Sequence, residues 1–295
     1  MKLGITANTR KDLFWDALPG LLKWLSGKKV PFVLSKKIVA DSPYSLKKYD
    51  SKPMKEIPDH CDMILAFGGD GTILRTARTV GERQTPILGV NVGGLGFLTD
   101  VPLNQFEKII TDILEGNYHI EERLMLKGLI GDDPKPLFAL NDIVMDKGRS
   151  PRVIEVRIDV NDQYLNAYIA DGLIISTPTG STGYSLSSGG PITVPSSKVL
   201  IINPICPHSL TNRPVIIPHT SLVKATLRSE SEEIIVSADG ADTRSCKSHT
   251  HLTIEKAPFA AHLVKPPGSD FFKLLQTKLN WGEDFRNKSR WSYNS

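Results

Sequence analysis

The hydrophobic period of this chain changes near Asn117, and that change limits the folds open to it. Before Asn117, short apolar runs alternate with segments whose apolar residues recur every three or four positions. Leu13, Phe14, Ala17, Leu18, Leu21, Leu22 and Leu25 form one such stripe, and Leu103, Phe106, Ile109, Ile110, Ile113 and Leu114 another. Apolar strand candidates at 2–6, 30–34, 62–67 and 86–91 surround them. Strand and helix in alternation predict an α/β domain with an open, mostly parallel sheet. After Asn117 the period falls to two. Ile154, Val156, Ile158 and Val160 alternate with Glu155, Arg157 and Asp159, as a half-buried strand requires. Further strand candidates at 137–145, 164–170, 172–176, 199–203, 222–227, 234–238 and 252–255 predict a mainly β, sandwich-like second domain.

The expected division is therefore an α/β domain over 1–117, a mainly β domain over 118–265, and a C-terminal segment over 266–295. In that last segment Phe271, Leu274, Leu275 and Lys278 have helical spacing, predicting a helix that returns to the α/β domain. The polar stretch 35–57 reads as a loop or mobile flap.

Composition narrows the function classes. With 36 Lys and Arg against 32 Asp and Glu, the net charge is only +4, which suits anionic small molecules but makes no nucleic-acid-binding stripe. No apolar run approaches the roughly 18 residues that cross a bilayer, and the first residues lack a signal-peptide core. The three cysteines, Cys61, Cys206 and Cys246, are far apart and read as reduced thiols, so a cytoplasmic protein is expected.

Four segments carry chemistry. Gly68-Gly69-Asp70-Gly71-Thr72 sits where a strand hands over to a helix, and glycines there let phosphate approach helix N–H groups. Asp70 is out of place beside phosphate unless it binds a cation or accepts a proton from an attacking hydroxyl; Asp-Gly alone also makes a tight turn. Gly93-Gly94-Leu95-Gly96-Phe97-Leu98 follows the next strand, as a second ligand loop or a permissive turn. Asn141-Asp142 interrupts an apolar run, where polar neighbours are functional or mark a bulge or edge. The segment 170–191 is dense in hydroxyls and glycines, as nucleotide recognition requires, and Tyr184 within it suits stacking on a base or core packing. Cys246, His249 and His251 lack an obvious fourth zinc ligand, and His208 stands alone. There is no Gly-Lys-Ser/Thr phosphate loop.

Taken in order, these segments resemble the NAD kinases. Gly-Gly-Asp-Gly-Thr is shared with phosphofructokinases and with diacylglycerol and sphingosine kinases. The run Thr177-Pro178-Thr179-Gly180-Ser181-Thr182 with Tyr184-Ser185-Leu186-Ser187 and Gly189-Gly190-Pro191 is specific to the NAD kinases. Asn141-Asp142, the stretch 204–210 with Arg213-Pro214, the Asp239-Gly240 turn and Leu279-Asn280-Trp281 extend the match.

The resemblance implies phosphorylation of NAD at the 2′-hydroxyl of its adenosine ribose. ATP with a divalent metal ion, foremost Mg2+, is the donor; some members also use polyphosphate. It also implies a homodimer or homotetramer with the site between the domains. Position by position, it makes Asp70 the proton acceptor and Gly71 part of the same loop, with Gly68, Gly69 and Thr72 at the phosphate donor. Arg75, Arg152, Ile169 and Asp171 become NAD contacts, and Asn141 and Asp142 hold adenosine and ribose groups. Thr182, Gly183, Tyr184, Ser185, Leu186 and Ser187 wrap the adenine, and Cys206 lines the pocket. Gly183 stands where Ala is usual, and Ala241 where many members carry Gln. A lipid kinase sharing only the first loop, and a dinucleotide-binding sensor without transfer, are the alternative readings.

Overall fold

The structure, a computed structural model, describes residues 1–94, 96–99, 101–230 and 233–281. Its first part runs β1 (Leu3–Ala7), α1 (Asp12–Gly27), β2 (Phe32–Ser35), α2 (Lys36–Asp41), β3 (Ser51–Lys52), β4 (Met63–Gly68), α3 (Asp70–Val80), β5 (Ile87–Asn91), β6 (Val101–Pro102) and α4 (Phe106–Leu114). All six strands are parallel, in the order β3-β2-β1-β4-β5-β6. The chain leaves β1 toward one edge and resumes at β4 toward the other, so the order reverses between β1 and β4. Ligands of open α/β sheets bind at the carboxyl ends of strands beside such a reversal, and the turn after β4 is Gly69-Asp70. Both faces are covered. Phe14, Leu18, Leu21 and Leu25 of α1 share one core with Ile109, Ile110 and Ile113 of α4. Ile73, Ala77 and Val80 of α3 pack on the opposite face against Ile64, Ala66 and Ile87.

The second part runs β7 (His119–Ile130), β8 (Leu137–Ala139), β9 (Asp142–Asp146), β10 (Ile154–Val160), β11 (Gln163–Ala170), β12 (Gly172–Ser176), α5 (Tyr184–Ser187), β13 (Val199–Ile205), β14 (Val215–Pro218), β15 (Val223–Arg228), β16 (Ile234–Ala238), β17 (Asp242–Cys246), β18 (His251–Lys265) and α6 (Phe271–Leu279). One antiparallel sheet has the order β14-β13-β12-β9-β16-β17. Its inner residues Ile143, Met145, Leu173, Ile175 and Val236 meet Val156, Ile158, Ala225 and Ile254 of the facing sheet in a sandwich core. That facing sheet is continuous with the parallel one, because Leu263 near the end of β18 pairs with Ile87 of β5. The fold is thus an α/β part with a mostly parallel sheet joined to a mainly β part, as the two hydrophobic periods predict.

Several local expectations change. The stretch expected as a loop over 35–57 contains α2 and β3, because Ile38, Leu46 and Ile57 are buried and pin it to the sheet. The strand expected over 137–145 is two strands: β8 pairs with β7 in one sheet, whereas β9 pairs with β12 and β16 in the other. Leu140-Asn141 is the crossing between sheets. The strand β7 was not expected, because charges break its alternation; Arg123 pairs with Glu121, and Lys127 with Glu255. Of the C-terminal segment, α6 is capped by Asp270, whose side chain accepts from the Phe272 and Lys273 N–H groups. Its Lys278 Nζ lies 5.6 Å above the Phe97 ring, while 282–295 fall outside the described residues. Among the described residues no helix is long and apolar enough to cross a membrane.

Candidate active site

Gly68 closes β4 and Gly69 caps α3 with an extended backbone, which places Asp70 in the first helical turn. A β-carbon on Gly68 would overlap Thr72, so the strand turns into the helix only with glycine there. The Asp70 carboxylate accepts from the N–H groups of Phe97 at 2.8 Å and Leu98 at 2.9 Å, and from Thr99 Oγ1 at 3.4 Å. The second glycine-rich loop is therefore anchored on the first, Leu95 within it lying outside the described residues. A carboxylate has about four lone-pair positions, so two close N–H bonds leave it able to accept from a hydroxyl. Gly71 and Arg75 are exposed on α3, one helical turn apart.

A cavity of about 480 Å³ lies between α3 and the mainly β part, lined by Leu74, Asn141, Asp142, Asp146, Tyr184, Asp239 and their neighbours. The crossing between sheets explains why a carboxylate, Asp239, is buried here. At a crossing, backbone N–H groups lose their ladder partners, and here a side chain takes them over. Asp239, in a left-handed turn at φ 51° with its side chain fully buried, accepts from the N–H groups of Asn141 at 2.8 Å, Leu140 at 3.2 Å and Asp142 at 3.4 Å. Arg78 of α3 completes the arrangement, its Nη1 reaching both Asp239 Oδ2 and the Ala238 carbonyl at 3.1 Å.

Burial pushes the Asp142 carboxyl up to about 7, and the neighbouring Asp239 charge adds to the effect. Burial also raises Asp239, against the opposing pull of its three backbone N–H bonds and Arg78. Asn141 Oδ1 is buried without a hydrogen-bond partner among the described residues. Such a group is costly unless something else bonds it.

The hydroxyl-rich segment divides by direction. Thr177 and Ser181 are buried and hold their own turn: Thr177 Oγ1 donates to the Leu140 carbonyl at 2.6 Å, and Ser181 Oγ to the Pro178 carbonyl at 2.7 Å. Ser185, also buried, is held by Asn203. Tyr184 and Ser187 are exposed, with Thr182, Gly183 and Leu186 intermediate. Tyr184 borders the cavity, and its hydroxyl is raised first by burial and then by Asp146, Cys206, Asp171 and Asp142. Cys206, exposed and left-handed at φ 46°, and Asp171, which is ion-paired to Lys147 at 2.7 Å, thus share its surroundings. Arg152, Ile169 and Asp171 line a second cavity of about 790 Å³ with His208 and His249. Of the expected NAD contacts, Asn141, Asp142 and Tyr184 line the first cavity and Arg152, Ile169 and Asp171 the second. Arg78 was missed from sequence, since nothing in its spacing distinguishes it from any helix-surface arginine.

The sequence profile of the ATP-NAD kinase N-terminal domain matches residues 3–118, and that of the C-terminal domain matches residues 140–266. The chain belongs to the ATP-NAD kinase family. An NAD kinase of Geotalea daltonii is 43% identical over 231 residues, covering 77% of this chain and 81% of the relative. One of Solibacter usitatus is 37% identical and spans 95% of this chain and 97% of its own length. Among solved structures, a yeast NADH kinase complexed with NADH superposes with a TM-score of 0.86 at 26% identity, covering 97% of this chain and 89% of that one. An NAD kinase from Archaeoglobus fulgidus in complex with ATP gives 0.76 at 25% identity, with 95% and 99% covered. The family membership leaves no support for the lipid-kinase or sensor alternatives.

Proposed function

We propose that the chain transfers the γ-phosphoryl group of ATP to the 2′-hydroxyl of the adenosine ribose of NAD, forming NADP and ADP. One observation carries the reading at this site. The helix α3 presents Asp70 at its first turn and borders, with Leu74, the cavity that holds Asn141 and Asp142. A single rigid element therefore sets the distance between a carboxylate and a nucleoside-sized pocket.

In this reading the ribose 2′-oxygen attacks the γ-phosphorus, its proton passes to Asp70, and the bond to the β-phosphate oxygen breaks to release ADP. A ribose hydroxyl is too weak an acid to react without such an acceptor. Gly68, Gly69 and Thr72 leave the start of α3 open to the donor phosphates, whose charge its N–H groups meet. Asn141 and Asp142 bond adenosine and ribose groups, Tyr184 and its neighbours 182–187 enclose the adenine, and Arg75 and Gly71 border the same molecule. Among the described residues no three His, Cys, Asp or Glu side chains converge as a ligand set, so the reading brings the divalent ion, Mg2+, in with the triphosphate as part of the substrate.

A homodimer or homotetramer belongs to the same proposal. Arg152 and Ile169 line the second cavity, and Ile169 and Leu210 are 47% and 91% exposed, as residues awaiting a second copy would be. A cytoplasmic location fits the substrates. The test is NADP formation by the purified protein with NAD, ATP and magnesium, beside the Asp70→Asn variant. Product from the wild type alone supports the reaction and the residue together; NAD bound without ATP-dependent product overturns the reading.

A further inference from the structure

We infer that Arg78 is a positioning residue for the Asn141-Asp142 pair, acting through Asp239. The inference rests on the reading of that cavity as the NAD pocket and adds a residue no motif assigns. Four observations support it. The Asp239 side chain is fully buried and takes all three backbone N–H groups of the sheet crossing, Leu140 to Asp142. Its backbone is left-handed, at φ 51°, as the first residue of the Asp239-Gly240 turn between β16 and β17, a conformation Asp adopts readily ahead of Gly, so the turn presents the carboxylate at a set place. Arg78, whose side chain is 17% exposed, grips both the carboxylate and the Ala238 carbonyl of the same turn. Finally, Arg78 belongs to α3, eight residues from Asp70, or about 12 Å along one helix. Loss of Arg78 would therefore uncouple the crossing from the helix that carries Asp70.

The electrostatic consequence is separable from the mechanical one. Asp142 is faced by Asp239 from the β16–β17 turn, with Arg78 behind Asp239, and by Tyr184 from α5, and it shares the cavity lining with Asp146 of its own strand. Arg78 supplies the positive charge that offsets Asp239. Without it, Asp239 holds its proton to higher pH, and the coupled Asp142–Asp239 pair titrates at higher pH.

The experiment compares wild type with Arg78→Gln and Arg78→Lys. Arg78→Gln is expected to raise the KM for NAD at least about tenfold, leave the KM for ATP within about twofold, and move the acid limb of kcat/KM for NAD upward by about half a pH unit or more. Arg78→Lys keeps the charge on a shorter side chain that stops short of the position from which Nη1 reaches both the Asp239 carboxylate and the Ala238 carbonyl, so it restores the acid limb while the KM for NAD stays raised. Amide hydrogen exchange at 140–142, measured without nucleotide, is expected to quicken in Arg78→Gln. An unchanged KM for NAD, an acid limb that moves equally in both variants, or unaltered exchange at 140–142 overturns the inference. A wild type that makes no NADP instead overturns the functional reading, and the exchange measurement still decides whether Arg78 holds the crossing. Should Arg78→Gln fail to fold, Arg78→Lys carries both readouts: a KM for NAD equal to that of wild type with unchanged exchange overturns the inference.

Discussion

The Asp70 carboxylate occupies the space that Gly96 leaves by having no side chain. A β-carbon on Gly96 would overlap Asp70 Oδ1 and crowd Thr99 Oγ1, while the next two N–H groups, of Phe97 and Leu98, bond the same carboxylate. The two glycine-rich loops are thus one unit. Gly96→Ala should lower kcat by about 10²-fold without removing any charge, because a displacement of about 1 Å is enough to cost that much. Steady-state kinetics with saturating NAD checks it; an unchanged kcat would show that the loop spacing does not matter.

Asp70→Asn removes the proton acceptor but keeps the shape. We expect kcat to fall by about 10²–10⁴-fold, the usual worth of a general base, with NAD affinity by calorimetry within a few-fold of wild type. Wild-type turnover in this variant would take Asp70 out of that role.

Asp142 links activity to pH through stability. Its carboxyl titrates at about 7 in the folded protein, above the ordinary value of 3.8. A raised acid stabilises the fold fully only below its unfolded pKa, and the contribution is lost as pH rises through 7. Asp142→Asn should therefore be more stable than wild type at pH 8 without nucleotide, by at most about 4 kcal/mol, and so melt higher, and the gap should narrow toward pH 5. The same variant should bind NAD more weakly. Melting curves at the two pH values decide; a gap independent of pH would mean that burial does not strain the Asp142 charge.

Arg123 ties the hydroxyl-rich segment to the long strands. Its side chain is 6% exposed, ion-paired to Glu121 and 3.4 Å from Thr179 Oγ1. Burial pushes the Glu121 carboxyl up, but Arg123, Lys265 and His119 together bring it below its ordinary range. Arg123→Met should destabilise by about 1–2 kcal/mol, because Arg123 is buried while Glu121 is 38% exposed and solvent discounts the loss of its partner. Urea unfolding measures it, and no change in midpoint would mean that hydration of Glu121 compensates fully.

The split of the strand expected over 137–145 shows where sequence reading stops. Both halves are apolar and β-favouring, so the sequence marks a strand. Whether Leu140-Asn141 continues one sheet or crosses to another depends on Asp239, about a hundred residues away, which bonds the crossing amides. The stretch 35–57 failed for a similar reason, since Ile38, Leu46 and Ile57 are spaced too irregularly to show a period yet are all buried.

By itself the sequence determined the two periods, hence an α/β part and a mainly β part, and the segments that carry the family resemblance. Those are local properties: spacing of apolar residues, glycine at a strand–helix turn, hydroxyls in a run. Only the tertiary structure decided that Asp70 holds Phe97 and Leu98, that Arg78 and Asp239 clamp the crossing at Asn141, and that Arg152 and Ile169 stand in a different cavity from Asn141. The first two join residues distant in the chain, and the third separates residues close in it. Their pairing depends on where the sheets bring backbone donors and buried charges together, a geometry that no local pattern encodes.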